Sequence, residues 1–209
     1  MVAAVEALSG QKDMLDIKLC QLVTLMENGK PIKMSKRAGN FVTVSDLIDA
    51  VGADVIRFIM LTRRSDQTLD FDYTKVTEQS RDNPVFYVQY AHARCCSILR
   101  KGGAVPDEAN LERLSAPAEL ALIKLLVSWP RMVVSATNTH EPHRIAFYLM
   151  DLASAFHSLW TAGREDPTLR FRLDDDAELT VARLWLVKAT ATVIRSALGV
   201  LAIPAKEEM

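Results

Sequence analysis

The chain has 209 residues, a formal net charge of −1, 49% hydrophobic and 24% charged residues. That balance excludes bulk disorder, and the near-zero charge excludes a protein that coats nucleic acid by general attraction. No apolar run reaches the roughly 18 residues of a membrane span, so one large domain, or a helical domain plus a smaller piece, is expected in the cytoplasm with no membrane partner.

In chain order, Met1 to Ser9 are apolar but lack the basic start of a signal peptide. Ile17 to Met26 are rich in apolar and β-branched residues and predict a strand, and Asn28-Gly29 predicts the tight turn of a hairpin. Lys30, Lys33, Lys36 and Arg37 then place four cations within eight residues without an acid among them. Gly29 and Gly39 flank this stretch, so a mobile loop is expected. Ser45 predicts the cap of a short helix through Val51 that stops at Gly52. A second helix is expected over Ala53 to Leu61.

Tyr73 to Arg100 reads as helical, with a break or kink at Asn83-Pro84. Val85, Val88, His92, Cys95 and Leu99 share its buried seam, which makes His92 a core or interface histidine. Tyr87, Tyr90 and Arg94 share another face. Gly102 to Pro106 is the linker candidate. Three longer helices follow. Pro117 to Asn138 is expected to kink or split at Pro130. Glu141 to Ala162 carries an apolar seam of Ile145, Leu149, Leu152, Phe156 and Leu159, and Asp175 to Leu198 carries Leu179, Ala182, Leu186, Ala189 and Val193. Short connections imply an antiparallel bundle from about Leu111 onward. The expected fold class is mainly α, with a β-hairpin and helix in front of the bundle.

Val181, Trp185, Lys188, Thr192 and Arg195 form a stripe away from the last apolar seam. Tryptophan between cations suits stacking on an unpaired base with charge for phosphate. The plainer reading of the same stripe is a solvated face with Trp185 half-buried. Asp174-Asp175-Asp176 suits a helix N-terminus better than a metal site. Cys20, Cys95 and Cys96 lack disulfide or zinc spacing and read as small buried hydrophobes in a reducing compartment. His140 and His143 have no second ligand pair, so no structural metal is expected.

Lys33-Met34-Ser35-Lys36 carries the clearest chemistry. When a carboxylate attacks the α-phosphate of ATP, charge builds on the leaving pyrophosphate. Lysine ammonium groups on a closing loop stabilise that charge as it develops, and a serine hydroxyl adds a donor. On spacing alone the same residues also make a solvated basic turn.

This stretch resembles the Lys-Met-Ser-Lys loop of class I aminoacyl-tRNA synthetases, with Arg37 where serine often follows. The longer string Lys33 to Phe41 resembles the arginyl branch. Asp70-Phe71-Asp72 followed by the run Asn83 to Arg94, NPVFYVQYAHAR, is similar to the arginyl-tRNA synthetase helix leading into the anticodon-binding domain. The stretch Pro142 to Trp160 and the final helix add to the resemblance. It implies an arginine–tRNA ligase that uses ATP with Mg2+, with arginine and its tRNA as partners, acting as a monomer. Lys36 and Lys33 are then the catalytic lysines, and Met34, Ser35 and Arg37 contact ATP. Tyr87, Tyr90, Arg94, Tyr148, Trp185, Lys188 and Arg195 are expected to contact tRNA. Residues 1–72 are expected to be the end of a Rossmann-like catalytic domain and 73–209 the helical anticodon-binding domain. The class's His-Ile-Gly-His-type motif is absent, so the chain is expected to begin inside a catalytic domain and to be inactive alone. The alternative is a stand-alone, non-catalytic tRNA-binding module.

Overall fold

The computed structural model describes residues 1–32, 34, 41–72, 74, 76 and 83–209. A short helix α1 (Val2–Ser9) ends at Gly10. Strand β1 (Val23–Glu27) pairs with β2 (Lys30–Pro31) as an antiparallel hairpin. Asn28 and Gly29 both take positive φ (50° and 77°), the backbone that a two-residue turn between right-twisted strands demands. The strand begins at Val23, not at Ile17. Its length is set by a partner far along the chain, β3 (Leu69–Asp72), which runs parallel to β1 with Val23 opposite Leu69 and Met26 opposite Asp72.

A parallel pair needs a crossover, and helices α2 (Val44–Val51) and α3 (Ala53–Leu61) supply it. Thr43, and not Ser45, caps α2. The Thr43 hydroxyl accepts the Asp46 N–H, and the Asp46 carboxylate accepts the Thr43 N–H at 2.8 Å. The Thr43 hydroxyl also donates to that carboxylate at 2.7 Å, and this bond, with the one from the Thr43 N–H, holds the Asp46 carboxyl below its ordinary range. Leu25, Leu69 and Phe71 of the sheet pack under Leu47, Val51, Ile56 and Ile59, making a small first core.

The larger core belongs to four helices: α4 (Pro84–Gly102), α5 (Pro117–Thr139), α6 (His143–Glu165) and α7 (Ala177–Val200). Asn83 caps α4, with Pro84 in the first turn, so the expected kink is a helix start. Of the expected helix upstream of it, residues 73, 75 and 77–82 lie outside the described residues. α4 packs most extensively on α7, and α5 on α6. The predicted α6 seam is buried along its whole length, from Ile145 to Leu159. Each such side chain contributes on the order of 1.5–3 kcal/mol. On α7 the seam lies a residue or so further round: Leu186, Val187, Ala191, Ile194, Ala197 and Leu198 are buried, whereas Ala189 and Val193 are half-buried. α5 does not split at Pro130. One residue before the Leu126 carbonyl that Pro130 cannot serve, the Leu125 carbonyl accepts bonds from the Ser128 hydroxyl (2.7 Å) and the Tyr148 hydroxyl (3.0 Å). α5 is also long and apolar enough to cross a membrane by length and composition, although charges interrupt its apolar run.

The C-terminal tail runs back over α4. Leu201 and Ile203 are buried, the Gln89 amide donates to the Pro204 carbonyl at 3.1 Å, and His92 Nδ1 lies 2.8 Å from the Lys206 carbonyl. His92 is fully buried, as its place in the seam predicts. Cys95 is buried and Cys96 half-buried, but Cys20 is exposed, outside any regular element, and so is not the buried hydrophobe expected. Asp176 caps α7 through the Leu179 N–H. Among the described residues no group of three His, Cys, Asp or Glu is placed to hold a metal ion.

Candidate nucleic-acid interface

Helical spacing puts Tyr90, Arg94 and Lys101 on one face of α4, and His157, Trp160 and Arg164 on the facing stripe of α6. Between them lie two adjoining hollows that share Ile98, Lys101 and Trp160. One, of about 490 Å³, is closed at its end by Glu207, Glu208 and Met209 of the tail. The other, of about 570 Å³, is walled by Arg164, Arg170, Phe171 and Arg172.

The wall formed by residues 166–172 is held from beneath. Gly163 of α6 lets the Leu169–Arg170 backbone come so close that a Cβ there would stand 2.9 Å from the Leu169 carbonyl oxygen. Arg183 of α7 donates to the carbonyls of Thr168 and Arg170, each at 2.7 Å, and pairs with Glu119 at 2.6 Å. Both partners of this ion pair are buried, and Glu119 also accepts the Ala116 N–H. Every buried charge here is therefore met by an opposite charge and by hydrogen bonds.

Arg94 stands at the centre of the groove. Its guanidinium carbon lies 4.4 Å from the Tyr90 ring centroid and 5.0 Å from that of Trp160. Nη2 donates to the Tyr90 hydroxyl at 2.7 Å, and Nη1 lies 3.0 Å from His157 Nδ1. Trp160 is backed by the buried Phe171, whose ring stacks on it with centroids 6.1 Å apart. Aromatic faces interleaved with arginine and lysine stack unpaired bases and neutralise phosphate, which a uniformly charged surface does only for phosphate. Arg100 is partly screened: it reaches the Glu207 carbonyl and the Glu208 carboxylate, both at 3.4 Å.

The sequence-predicted residues divide around this groove. Tyr90 and Arg94 line it. Tyr87 is half-buried beneath it, with its ring 4.5 Å from His157. Tyr148 was expected as a stacking residue but is buried at 3% exposure. Its hydroxyl donates to the Leu125 carbonyl and its ring stacks on Trp129 at 5.2 Å. Burial pushes its hydroxyl up to about 12. No base can reach it without unpacking the core. Trp185 and Lys188 do come together, with Lys188 Nζ 4.8 Å over the indole. The Trp185 N–H, however, is given to the Pro106 carbonyl at 2.9 Å, so the indole lies against the α4–α5 connection and lines neither hollow. Arg195 pairs with Glu207 and anchors the tail. Lys33, Ser35, Lys36 and Arg37 lie outside the described residues; Met34 is described and half exposed. Trp160, Phe171, Lys101 and the arginines of the second hollow were missed as site residues. The signal for them was the string Arg170-Phe171-Arg172, an aromatic between two cations, and the i, i+4 pair Trp160 and Arg164.

A helical bundle carrying such a groove, joined to a parallel-strand segment, defines a class. Residues 88–209 match the DALR anticodon-binding domain family and residues 7–73 match the class I tRNA synthetases (I, L, M and V). The chain belongs to the DALR anticodon-binding domain family, in its arginyl-tRNA synthetase branch. It is 53% identical over 217 residues to an arginine–tRNA ligase of Ruegeria pomeroyi and 51% identical over 218 residues to one of Rhodospirillum rubrum. These alignments take in 100% and 99% of the chain but 37% of each relative, so the chain spans little more than a third of their length. Two solved arginyl-tRNA synthetases share the fold. One from Campylobacter jejuni has a TM-score of 0.86 at 30% identity, covering 100% of this chain and 44% of that one. One from Thermus thermophilus has a TM-score of 0.66 at 26% identity, covering 89% and 34%.

Proposed function

We propose that this chain supplies two parts of an arginine–tRNA ligase: the phosphate-contacting loop that ends the catalytic domain, and the bundle that grips the anticodon stem and loop of arginine tRNA. The observation that carries the second part is the groove, where Arg94 lies between Tyr90 and Trp160 with Phe171 beyond, inside a region matching an anticodon-binding family. Tyr90 and Trp160 are the stacking surfaces, and the buried Phe171 backs Trp160. Lys101, Arg164 and Arg172 meet phosphates.

For the first part, residues 1–72 act as the catalytic-domain portion and 73–209 as the tRNA-binding portion. ATP, accompanied by Mg2+, supplies the leaving group for activation of arginine. Lys33 and Lys36 stabilise the charge that develops on the pyrophosphate, and Met34, Ser35 and Arg37 contact the nucleotide. The activated arginine then passes to the tRNA. Two lysines, an arginine and a serine are the donor set that a triphosphate requires. The enzyme works in the cytoplasm as a monomer, with arginine, ATP and arginine tRNA as its partners.

The groove assignment is tested by comparing Trp160→Ala with Trp185→Ala, using fluorescence anisotropy of labelled arginine tRNA. Losing a stacking platform costs about 1–3 kcal/mol, so Trp160→Ala is expected to weaken binding by about fivefold to a hundredfold. Trp185→Ala is expected to leave it within about twofold. The opposite order would move the interface to the α7 stripe.

A further inference from the structure

We propose that His157 is a positioning residue of this groove: as the neutral Nε2–H tautomer it holds the Arg94 guanidinium beside Tyr90 and Trp160, where it lines the hollow that takes an unpaired base. The proposal rests on the RNA-binding reading above and assigns the part that a buried histidine plays in it.

The hydrogen bonds fix the tautomer from both sides. A guanidinium nitrogen only donates, so the Arg94 Nη1 contact at 3.0 Å requires His157 Nδ1 to be an unprotonated acceptor. A carbonyl only accepts, so the Tyr87 oxygen 3.3 Å from Nε2 requires that nitrogen to carry the proton. Both neighbours demand the same form, and a doubly protonated ring satisfies only one of them. The ring cannot turn aside freely. It is 8% exposed and packed against Tyr87, Tyr90 and Phe156, with centroids 4.5, 5.7 and 5.9 Å away.

The consequence falls on Arg94. A free arginine samples many rotamers and loses that freedom when it binds a ligand. Here Nη1 is tied to His157 and Nη2 to the Tyr90 hydroxyl at 2.7 Å, so both arms of the fork are held before any RNA arrives. The group is left close to two aromatic rings and lining the hollow. The histidine touches no ligand itself; it acts through the arginine.

Two measurements on the full chain test this. In the first, 15N spectroscopy of the imidazole reads the tautomer with no RNA present. A protonated Nε2 and an unprotonated Nδ1 at neutral pH are expected, and the opposite tautomer overturns the proposal. In the second, anisotropy with a labelled stem-loop of the arginine tRNA anticodon arm is compared for His157→Phe and His157→Asn, each alone and combined with Arg94→Ala. Phenylalanine keeps the packing and removes the acceptor; it is expected to weaken binding about tenfold. Asparagine can set its Oδ1 near the place of Nδ1 and is expected to stay within about threefold of wild type. With Arg94→Ala present, His157→Phe is expected to add no further loss. An equal loss with and without Arg94 means His157 supports the fold only and overturns the proposal, as does unimpaired binding by His157→Phe when Arg94→Ala is impaired. If the wild type fails to prefer the stem-loop over an unrelated hairpin while the spectrum shows the expected tautomer, the RNA reading fails and the function of the His157–Arg94 pair in it falls too.

Discussion

Two aromatic residues on α6 lie within four turns of each other and do opposite work. Tyr148 is in the core, bonded to the Leu125 carbonyl; Trp160 is half-buried at the groove beside Arg94. Removing the Tyr148 hydroxyl leaves the Leu125 carbonyl with its Ser128 partner, so the loss is that of one hydrogen bond. Tyr148→Phe is therefore expected to lower stability by about 0.5–1.5 kcal/mol in urea unfolding, while arginine tRNA affinity stays unchanged. A lost affinity without lost stability would return Tyr148 to the interface. Helical spacing alone did not separate the two residues. The sequence puts Tyr148 beside the seam residue Leu149, but what covers it is Trp129, from another helix. Trp185 could not be placed by periodicity either, because its partner carbonyl, Pro106, lies in a connection whose path no periodicity reports. His92 and Tyr90–Arg94 were legible because the α4 pattern separates a continuous apolar seam from a polar face.

At the scale of elements, the groove wall depends on a place where backbone meets backbone. A methyl group at Gly163 would meet the Leu169 carbonyl oxygen at 2.9 Å, and main chain cannot swing aside as a side chain does. Gly163→Ala is expected to destabilise by about 1–3 kcal/mol in thermal or urea unfolding, and to weaken RNA binding as the Arg170–Arg172 segment shifts. Unchanged stability would mean that the segment yields without cost. The helices were largely legible, since α3 was read residue for residue and α6 to within a few residues, both from strong apolar patterns. Of the strands, the β1–β2 hairpin was legible from Asn28-Gly29, but β3 was not. β3 has four residues and becomes a strand by pairing with β1, more than forty residues earlier. The parallel pairing of the first segment was therefore invisible to local reading. Thr43 was passed over as a cap because its box closes with Asp46 in place of the more usual Glu or Gln.

For the whole molecule, the tail joins the bundle to the first core. His92 Nδ1 donates to the Lys206 carbonyl, and Arg57 of α3 reaches the Ala202 carbonyl. Burial pushes the His92 imidazole below its ordinary value of 6.5, outweighing the Lys206 carbonyl, which favours the protonated ring. The unfolded chain thus takes up a proton that the folded chain resists. The His92 contribution to stability is complete above about pH 6.5 and declines as pH falls below it. Thermal unfolding at pH 7.5 and 5.5 is expected to show a larger acid loss for wild type than for His92→Asn, whose amide can still serve the Lys206 carbonyl. Equal losses would place the acid sensitivity elsewhere.

The central claim is that a chain of net charge −1 recognises arginine tRNA through a local groove of arginines and aromatic rings. The most direct measurement is the affinity of the full chain for arginine tRNA and for an unrelated tRNA at two salt concentrations. A preference for arginine tRNA that persists at the higher salt is predicted, because stacking does not release counterions and only a few phosphate contacts do. Equal affinity for both tRNAs, lost together as salt rises, would contradict it.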